Sequence, residues 1–241
     1  DLNSYLYKYE KDFAYVARTV GDKKEYKLWS DRARTRQQEI HDLMWDTDEG
    51  FFYDYNFVAK KIGHYFSLAS YVPLWAGLAT QYQAKQMVKK LHRFETPYGL
   101  TIGAKESLAK PIDLSKIQQR YHPAIEEIIK PKQWDYPNIW APLEYLTVIG
   151  LLKYGFLEDA KRIMEKSVQA HAAVFRKYGT FFEKLNGESG KSGGNAAYED
   201  QKGFGWTNAA FFRYIQLLDA LETPEGIYTT KEPKGDPPYE I

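Results

Sequence analysis

A ten-residue segment near the middle of the chain carries side chains that could bind a sugar. Residues Gln133 to Pro142 read Gln-Trp-Asp-Tyr-Pro-Asn-Ile-Trp-Ala-Pro, which places two amides, a carboxylate and two indoles just before a predicted helix. A sugar site needs this mixture, because flat apolar faces pack on the ring while polar groups bind adjacent hydroxyls. The same residues could form a helix N-terminus with two buried tryptophans. The residues alone leave both interpretations open.

Two further segments add an acid and more aromatic rings. Glu183 follows Phe181 and Phe182, and Gly203 to Asn208 reads Gly-Phe-Gly-Trp-Thr-Asn. A lone glutamate after two aromatic residues is ordinarily a surface or capping residue. However, the long polar stretches 96–133 and 186–204 lead directly into the aromatic segments, and loops of this length in compact domains are usually functional or disordered. Their position favours function.

Helices must position these segments, because the apolar residues recur at spacings of three and four. In the first helix, Leu6, Tyr9, Phe13 and Val16 are expected to form the buried face. The segment 46–50 is predicted to be a turn and 51–55 a short β-hairpin. The predicted fold class is therefore all-α, with helices over 2–20, 23–44, 67–80, 81–91, 142–155, 157–175 and 207–221.

The composition excludes several other classes of protein. Among 241 residues, Lys and Arg number 33 and Asp and Glu 32, so no basic surplus suggests a nucleic-acid partner. The longest apolar run, 71–79, is too short to span a bilayer, so no membrane partner is expected. There is no cysteine, and the five histidines show no metal-ligand spacing. We therefore expect no metal and no cofactor.

The aromatic segments resemble the trehalase family of inverting glycoside hydrolases. In that family a Gln-Trp-Asp-x-Pro-Asn core is followed by Trp-Ala-Pro, as in 133–142, and a second element matches 203–208. Weaker similarity extends over 1–6, 43–55 and 73–78. The resemblance implies an (α/α)6 toroid or barrel, of which this chain would be the C-terminal portion.

The resemblance also implies a domain organisation and a set of site residues. Residues 1–222 would belong to a single catalytic domain, and 223–241 would form an extended C-terminal tail. A small carbohydrate would be the substrate. The residues expected to bind it are Gln133, Trp134, Asp135, Asn138, Trp140, Tyr198, Phe204 and Trp206.

Two carboxylates perform the chemistry in this family. A protonated one donates to the glycosidic oxygen, and an ionised one activates a water on the opposite face, which inverts the anomeric carbon. The general base lies in a Glu-Lys-Tyr-like segment, which matches Glu183-Lys184-Leu185 and implies that Glu183 is the base. The general acid is an aspartate in a Gly-Trp-Asp-like motif, which this chain lacks. It is therefore expected N-terminal to the chain, in another portion of the same enzyme.

The sequence departs from the trehalase pattern at three places around the expected leaving group. Ala197 stands before Tyr198 where the family carries a glutamate, Ile139 replaces a small residue, and Glu144 replaces a glutamine. Other features resemble the clan-related α-glucosidases and mannosylglycerate hydrolases. The resemblance therefore implies an α-glycosidase that acts on trehalose or a related α-glucoside or α-mannoside.

One alternative comes from another functional class. A noncatalytic carbohydrate-binding or structural toroid that has lost the acid would carry the same aromatic segments. An all-helical interaction scaffold would have no need for aromatic residues in these loops. The sequence assigns no compartment, so cytoplasmic, periplasmic and secreted locations stay open.

Overall fold

The computed structural model describes residues 1–108, 118–123, 132–193 and 199–222. The predicted tail, 223–241, lies outside these ranges, as does Tyr198. Helices dominate the described residues, as the sequence predicted. They are α1 Leu2–Thr19, α2 Lys23–Met44, α3 Val72–Ala76, α4 Gln81–Val88, α5 Ala141–Lys153, α6 Leu157–Tyr178 and α7 Gly205–Glu222.

The strands are short and occur in antiparallel pairs. The predicted turn at 46–50 closes the first pair, but the hairpin expected within 51–55 was wrong in its position, because the two ends of this segment pair with different strands. Each described strand has two residues. The pairs are β1 Trp45–Asp46 with β2 Phe51–Phe52, β3 Tyr55–Asn56 with β4 Lys61–Ile62, β5 Glu95–Thr96 with β6 Gly99–Leu100, and β7 Asn138–Ile139 with β8 Leu185–Asn186.

Local sequence signals account for several helix boundaries. The Asp22 side chain accepts hydrogen bonds from the first backbone amides of α2. Thr80 and Gln83 form a reciprocal capping box at the start of α4. The prediction of one helix over 67–80 was wrong. A 3₁₀ turn precedes α3, and Gly77 ends α3 with φ of 71°, a left-handed conformation that favours glycine.

The start of the last helix also differs from the prediction. Thr207 and Asn208 were expected to be N-caps, but α7 begins at Gly205. The Thr207 hydroxyl instead donates to the Phe182 carbonyl oxygen at 2.8 Å. This side chain therefore anchors the N-terminus of α7 to the segment that contains Glu183.

The central helix of the described fold is α5, which packs on α3, α6 and α7. Gly150 allows this arrangement, because an added Cβ would lie 2.8 Å from the Leu74 Cβ in α3. Val148 and Leu151 of α5 are fully buried in the main core. Since Trp140 directly precedes α5, the packing of this helix fixes the aromatic segment in place.

The predicted buried face of α1 was wrong. Tyr9, Phe13 and Val16 are each more than half exposed. The buried face instead carries Tyr7, Glu10, Ala14 and Ala17. The Glu10 carboxylate forms a bidentate ion pair with Arg36 of α2, with distances of 2.8 and 2.9 Å, and the half-exposed Phe13 packs on Trp29 of α2.

The predicted apolar stripe of α6 is confirmed over most of its length. Ala160, Met164 and His171 are buried, whereas Phe175 is 45% exposed. His171 is a satisfied core histidine, as expected, because its Nδ1 lies 2.9 Å from the Ser167 carbonyl oxygen. Burial lowers its pKa. Within the described ranges, no helix is both long and apolar enough to cross a membrane.

Candidate active site

Strand pairing joins the two segments that the sequence singled out for chemistry. In the antiparallel pair β7–β8, Asn138 lies opposite Asn186 and Ile139 opposite Leu185. The Gly187 amide also donates to the Pro137 carbonyl oxygen at 2.7 Å. Residues 133–140, termed here the signature turn, are therefore fixed against the strand that directly follows Glu183 and Lys184.

Four aromatic side chains form a continuous surface, termed here the aromatic wall. Trp134 stacks on Trp140 with 4.2 Å between ring centroids and an interplanar angle of 12°. Trp206 meets Trp140 edge-on at 5.4 Å, and Phe204 lies 4.6 Å from Trp206. Trp140 is 3% exposed, whereas Trp134 and Trp206 are 40% and 37% exposed. The wall thus has a buried centre and accessible flanks, which suits stacking on a sugar ring.

The polar residues of the signature turn are organised around the Gln133 carbonyl oxygen. It accepts hydrogen bonds from Asn138 Nδ2 at 2.9 Å and from Trp140 Nε1 at 2.8 Å. These bonds fix the Trp140 indole and the Asn138 amide. Asn138 Oδ1 is buried and accepts no hydrogen bond from the described residues. A buried acceptor of this kind is what a ligand or a bound water satisfies.

Asp135 is held by the protein on both sides of its carboxylate. The Tyr65 hydroxyl donates to Oδ1 at 2.7 Å, and the Lys132 amide donates to Oδ2 at 2.8 Å. Burial, together with the hydrogen bond to Asp135, raises the pKa of Tyr65. The carboxylate therefore fixes the signature turn to the segment before α3. Nothing in the sequence pattern identified Tyr65 as a partner.

Glu183 lies in the same cluster as the aromatic wall. It is 3% exposed, although a lone glutamate after two aromatic residues is ordinarily a surface residue. Its amide donates to the Gln201 carbonyl oxygen at 3.1 Å, and its own carbonyl oxygen accepts from Trp206 Nε1 at 3.3 Å. The backbone of Glu183 is thus fixed between the segment 200–203 and the wall.

The Glu183 carboxylate forms an ion pair with the next residue in the chain. The Lys184 ammonium contacts Glu183 Oε1 and donates to Asp200 Oδ1 at 2.9 Å. It also lies 5.5 Å from the centroid of the Trp140 ring. Burial alone would lower the pKa of Lys184, but the hydrogen bonds to the two carboxylates outweigh it and raise the pKa. A permanent positive charge therefore accompanies Glu183.

Lys184 and Asp200 were not among the site residues predicted from the sequence. Asp200 lies in the loop before the second aromatic segment but out of register with the family's glutamate, so the pattern gave it no role. The sequence signal for Lys184 is its place directly after Glu183 in the segment that resembles Glu-Lys-Tyr. Tyr198, expected to bind substrate, lies outside the described residues, so its prediction stands without a structural test.

A second buried carboxyl group lies behind the signature turn. Glu144, in the first turn of α5, is 1% exposed, and its Oε2 accepts from the Leu100 amide at 2.7 Å. Oε1 makes no hydrogen bond of normal geometry with the described residues. Burial raises the pKa of Glu144 to about 7, against weaker lowering effects of the nearby Ser167, Leu100 and Tyr214 groups.

The arrangement offers a partly exposed aromatic surface beside a buried, charge-paired carboxylate. An ionised carboxylate can accept a proton from water, while aromatic faces position an apolar ring surface. In the described part of the chain, no cluster of three or more metal-binding side chains occurs.

The chain is similar in sequence to proteins of the trehalase family. The trehalase family model matches residues 1–219. The chain is 34% identical to a cytosolic neutral trehalase of Beauveria bassiana, over 91% of this chain and 32% of the relative. It is 35% identical to a cytosolic neutral trehalase of Saccharomyces cerevisiae, over 91% of this chain and 30% of the relative. The chain thus spans about a third of the length of these curated relatives.

Solved structures have the same fold. The neutral trehalase from Saccharomyces cerevisiae superposes with a TM-score of 0.69 at 31% identity, covering 100% of this chain and 43% of that one. A mannosylglycerate hydrolase from Thermus thermophilus gives a TM-score of 0.64 at 19% identity, covering 88% and 46%, and supports the fold alone. The helices match part of an (α/α)6 toroid, which confirms the predicted fold class. With a family match over residues 1–219, the chain belongs to the trehalase family of glycoside hydrolases.

Proposed function

We propose that this chain carries the general-base part of the active site of an inverting α-glycosidase. The protein would hydrolyse the α-glycosidic bond of trehalose or of a related α-glucoside or α-mannoside. The relatives that match most of this chain are named trehalases, which supports this reaction class. Residues 1–222 would form part of a single catalytic domain.

The observation that carries the proposal is the position of Glu183. Its carboxylate is buried, yet it is paired with the Lys184 ammonium and lies beside the aromatic wall. An inverting enzyme needs an ionised carboxylate that takes a proton from water as the water attacks the anomeric carbon. The contact with the Lys184 ammonium supports Glu183 as that carboxylate, and the neighbouring tryptophans support a sugar ring within reach.

The remaining site residues would bind the sugar. Trp134 and Trp206 would stack on its faces, because both rings are partly exposed. Asn138 Oδ1 would accept a hydrogen bond from a hydroxyl. Gln133, Asp135, Trp140, Phe204 and Tyr198 complete the proposed set. The general acid would be an aspartate from a segment that this chain does not include.

Replacement of Glu183 in the complete protein tests the proposal. The Glu183→Gln variant keeps the size of the side chain but cannot accept the proton, so kcat should fall by about 10²- to 10⁴-fold. Trehalose, mannosylglycerate and α-glucosyl oligosaccharides would be screened as substrates, and NMR of the first product formed would report the anomer. The exposed Glu39→Gln serves as the matched control.

Two results would contradict the assignment. Unchanged turnover in Glu183→Gln would remove Glu183 as the base, and a retained anomer would remove the inverting mechanism. If the unmodified protein binds these sugars but cleaves none of them, the noncatalytic carbohydrate-binding toroid becomes the better description.

A further inference from the structure

Glu183, Lys184 and Asp200 form a cluster of three charges beside the aromatic wall, in which Asp200 is partly exposed. The Lys184 side chain is 0% exposed, and those of Glu183 and Asp200 are 4% and 16% exposed. The single ammonium is shared by two carboxylates, so the formal charge of the cluster is −1. Since buried charges are costly unless they are paired, this arrangement has to be maintained by the fold.

The two oxygens of the Glu183 carboxylate have different surroundings. Oε1 contacts the Lys184 ammonium, whereas no described residue donates a hydrogen bond to Oε2. One oxygen is therefore fixed by the protein, and the other has an acceptor position to offer to a water molecule. This asymmetry is what a general base requires, because the accepting oxygen must be oriented but not already occupied.

Asp200 determines how strongly Lys184 acts on Glu183. A lysine paired with one buried carboxylate would stabilise the ionised form so strongly that the carboxylate would become a poor proton acceptor. A second carboxylate on the same ammonium, at 2.9 Å, offsets part of that charge. Lys202 follows Asp200 by two residues, and its backbone bridges to Phe182, but its side chain is exposed. Its charge is therefore screened by solvent, unlike that of Lys184.

Resting on the proposed role of Glu183, we propose that Lys184 and Asp200 act as a pair of positioning residues for the base. Lys184 holds Oε1 in place with its ammonium, and Asp200, bonded to the same ammonium, shares the positive charge of the lysine with Glu183. Neither residue touches the substrate. They act only through the Glu183 carboxylate.

The pH dependence of kcat/KM in the complete protein tests this role. The acid limb of the profile reports protonation of the essential base. In Lys184→Met, loss of the positive charge should move this limb to higher pH by about one unit, and kcat should fall by about tenfold or more. In Asp200→Asn, loss of a negative charge should move the limb to lower pH by up to about one unit. Lys202→Met is the matched control and should leave the limb in place.

Opposite displacements of the acid limb would support the pair, because a purely structural role changes only the folded fraction. If activity falls in parallel with the folded fraction and the limb stays fixed in both variants, the proposal is overturned. If Lys184→Met does not fold, Asp200→Asn decides alone, since it retains the primary ion pair. Failure of the proposed function would look different, because either Glu183→Gln would keep the wild-type turnover or the unmodified protein would cleave none of the sugars.

Discussion

Glu183 and Glu144 are both buried glutamates, but a positively charged side chain lies beside only the first of them among the described residues. Glu183 is 3% exposed and Glu144 is 1% exposed. Glu183 contacts a buried ammonium, whereas Glu144 has the Leu100 amide and no cation among the described residues. Burial raises the pKa of Glu144 to about 7. Burial alone therefore favours a neutral carboxyl group, whereas an ammonium beside a buried carboxylate opposes that effect.

The contrast also explains a departure from the family pattern. Position 144 is a glutamine in the trehalase pattern to which the sequence was compared, and glutamine is neutral at every pH. A glutamate that is largely protonated in the fold can occupy the same buried position at little cost at low pH. At position 183 a neutral side chain would lose both the ion pair and the proposed chemistry.

The largest effect on stability is expected from Lys184→Met, which removes the cation from the Glu183 region. The buried Glu183 and the partly exposed Asp200 would be left without their shared partner, so the free energy of unfolding should fall by about 3–5 kcal/mol. Urea denaturation monitored by circular dichroism would measure it. Lys202→Met removes an exposed charge and should change it by less than about 0.5 kcal/mol. A loss below about 1 kcal/mol in Lys184→Met would show that the pair contributes little net stability.

A change of opposite sign is expected from Glu144→Gln. The folded-state pKa of Glu144, about 7, lies above its ordinary value of 4.5, so between these values the folded protein binds an extra proton. Wild-type stability is therefore lost as the pH rises from about 4.5 to 7. The glutamine variant avoids this loss and should be more stable by up to about 3 kcal/mol at about pH 8, with no gain at about pH 4.

Denaturation of wild type, Glu144→Gln and Glu39→Gln at about pH 4, 6 and 8 would measure this difference. Glu39 is an exposed residue of α2, so its variant should show no such pH dependence. A gain for Glu144→Gln that is the same at all three values would show that Glu144 does not titrate in this range, and the comparison between the two regions would fail.

The smallest expected effect concerns two buried tyrosines. The Tyr71 hydroxyl donates to the Met87 carbonyl oxygen at 2.8 Å, whereas the Tyr214 hydroxyl, near Glu144, makes no hydrogen bond of normal geometry with the described residues. Tyr71→Phe should cost about 1 kcal/mol, and Tyr214→Phe should be close to neutral. Thermal unfolding of both variants would measure the difference. Equal losses of stability would indicate that the Tyr214 hydroxyl makes a hydrogen bond, and that Glu144 has more hydrogen-bond partners than the geometry indicates.

Much of the fold was accessible from the sequence, because helix boundaries depend on local signals. Caps such as Asp22 and Thr80 and the apolar period of α6 are properties of neighbouring residues. The buried face of α1 could not be predicted from such local signals. Its apolar stripe at Tyr9 and Phe13 is more than half exposed, although Phe13 packs on Trp29 of α2, and Glu10 forms an ion pair with Arg36 of α2. Which face is buried depends on the partner helix.

The candidate site also contains some residues that could be predicted from the sequence and others that could not. The aromatic wall and Glu183 could be predicted because their residue types and order resemble a family pattern. Tyr65 and Asp200 could not, because each acts through one hydrogen bond to a residue distant in sequence. Such contacts leave no periodicity or spacing in the chain, and they follow only once the helices have brought the segments together.

The β7–β8 pair has a consequence for the order in which the chain folds. Its partners are separated along the chain by the whole of α5 and α6, so closing this contact costs entropy that local helix formation does not. Contacts between residues far apart in sequence slow folding. We therefore expect the helical hairpin α5–α6 to form first, and the surface that would meet the sugar to be completed late.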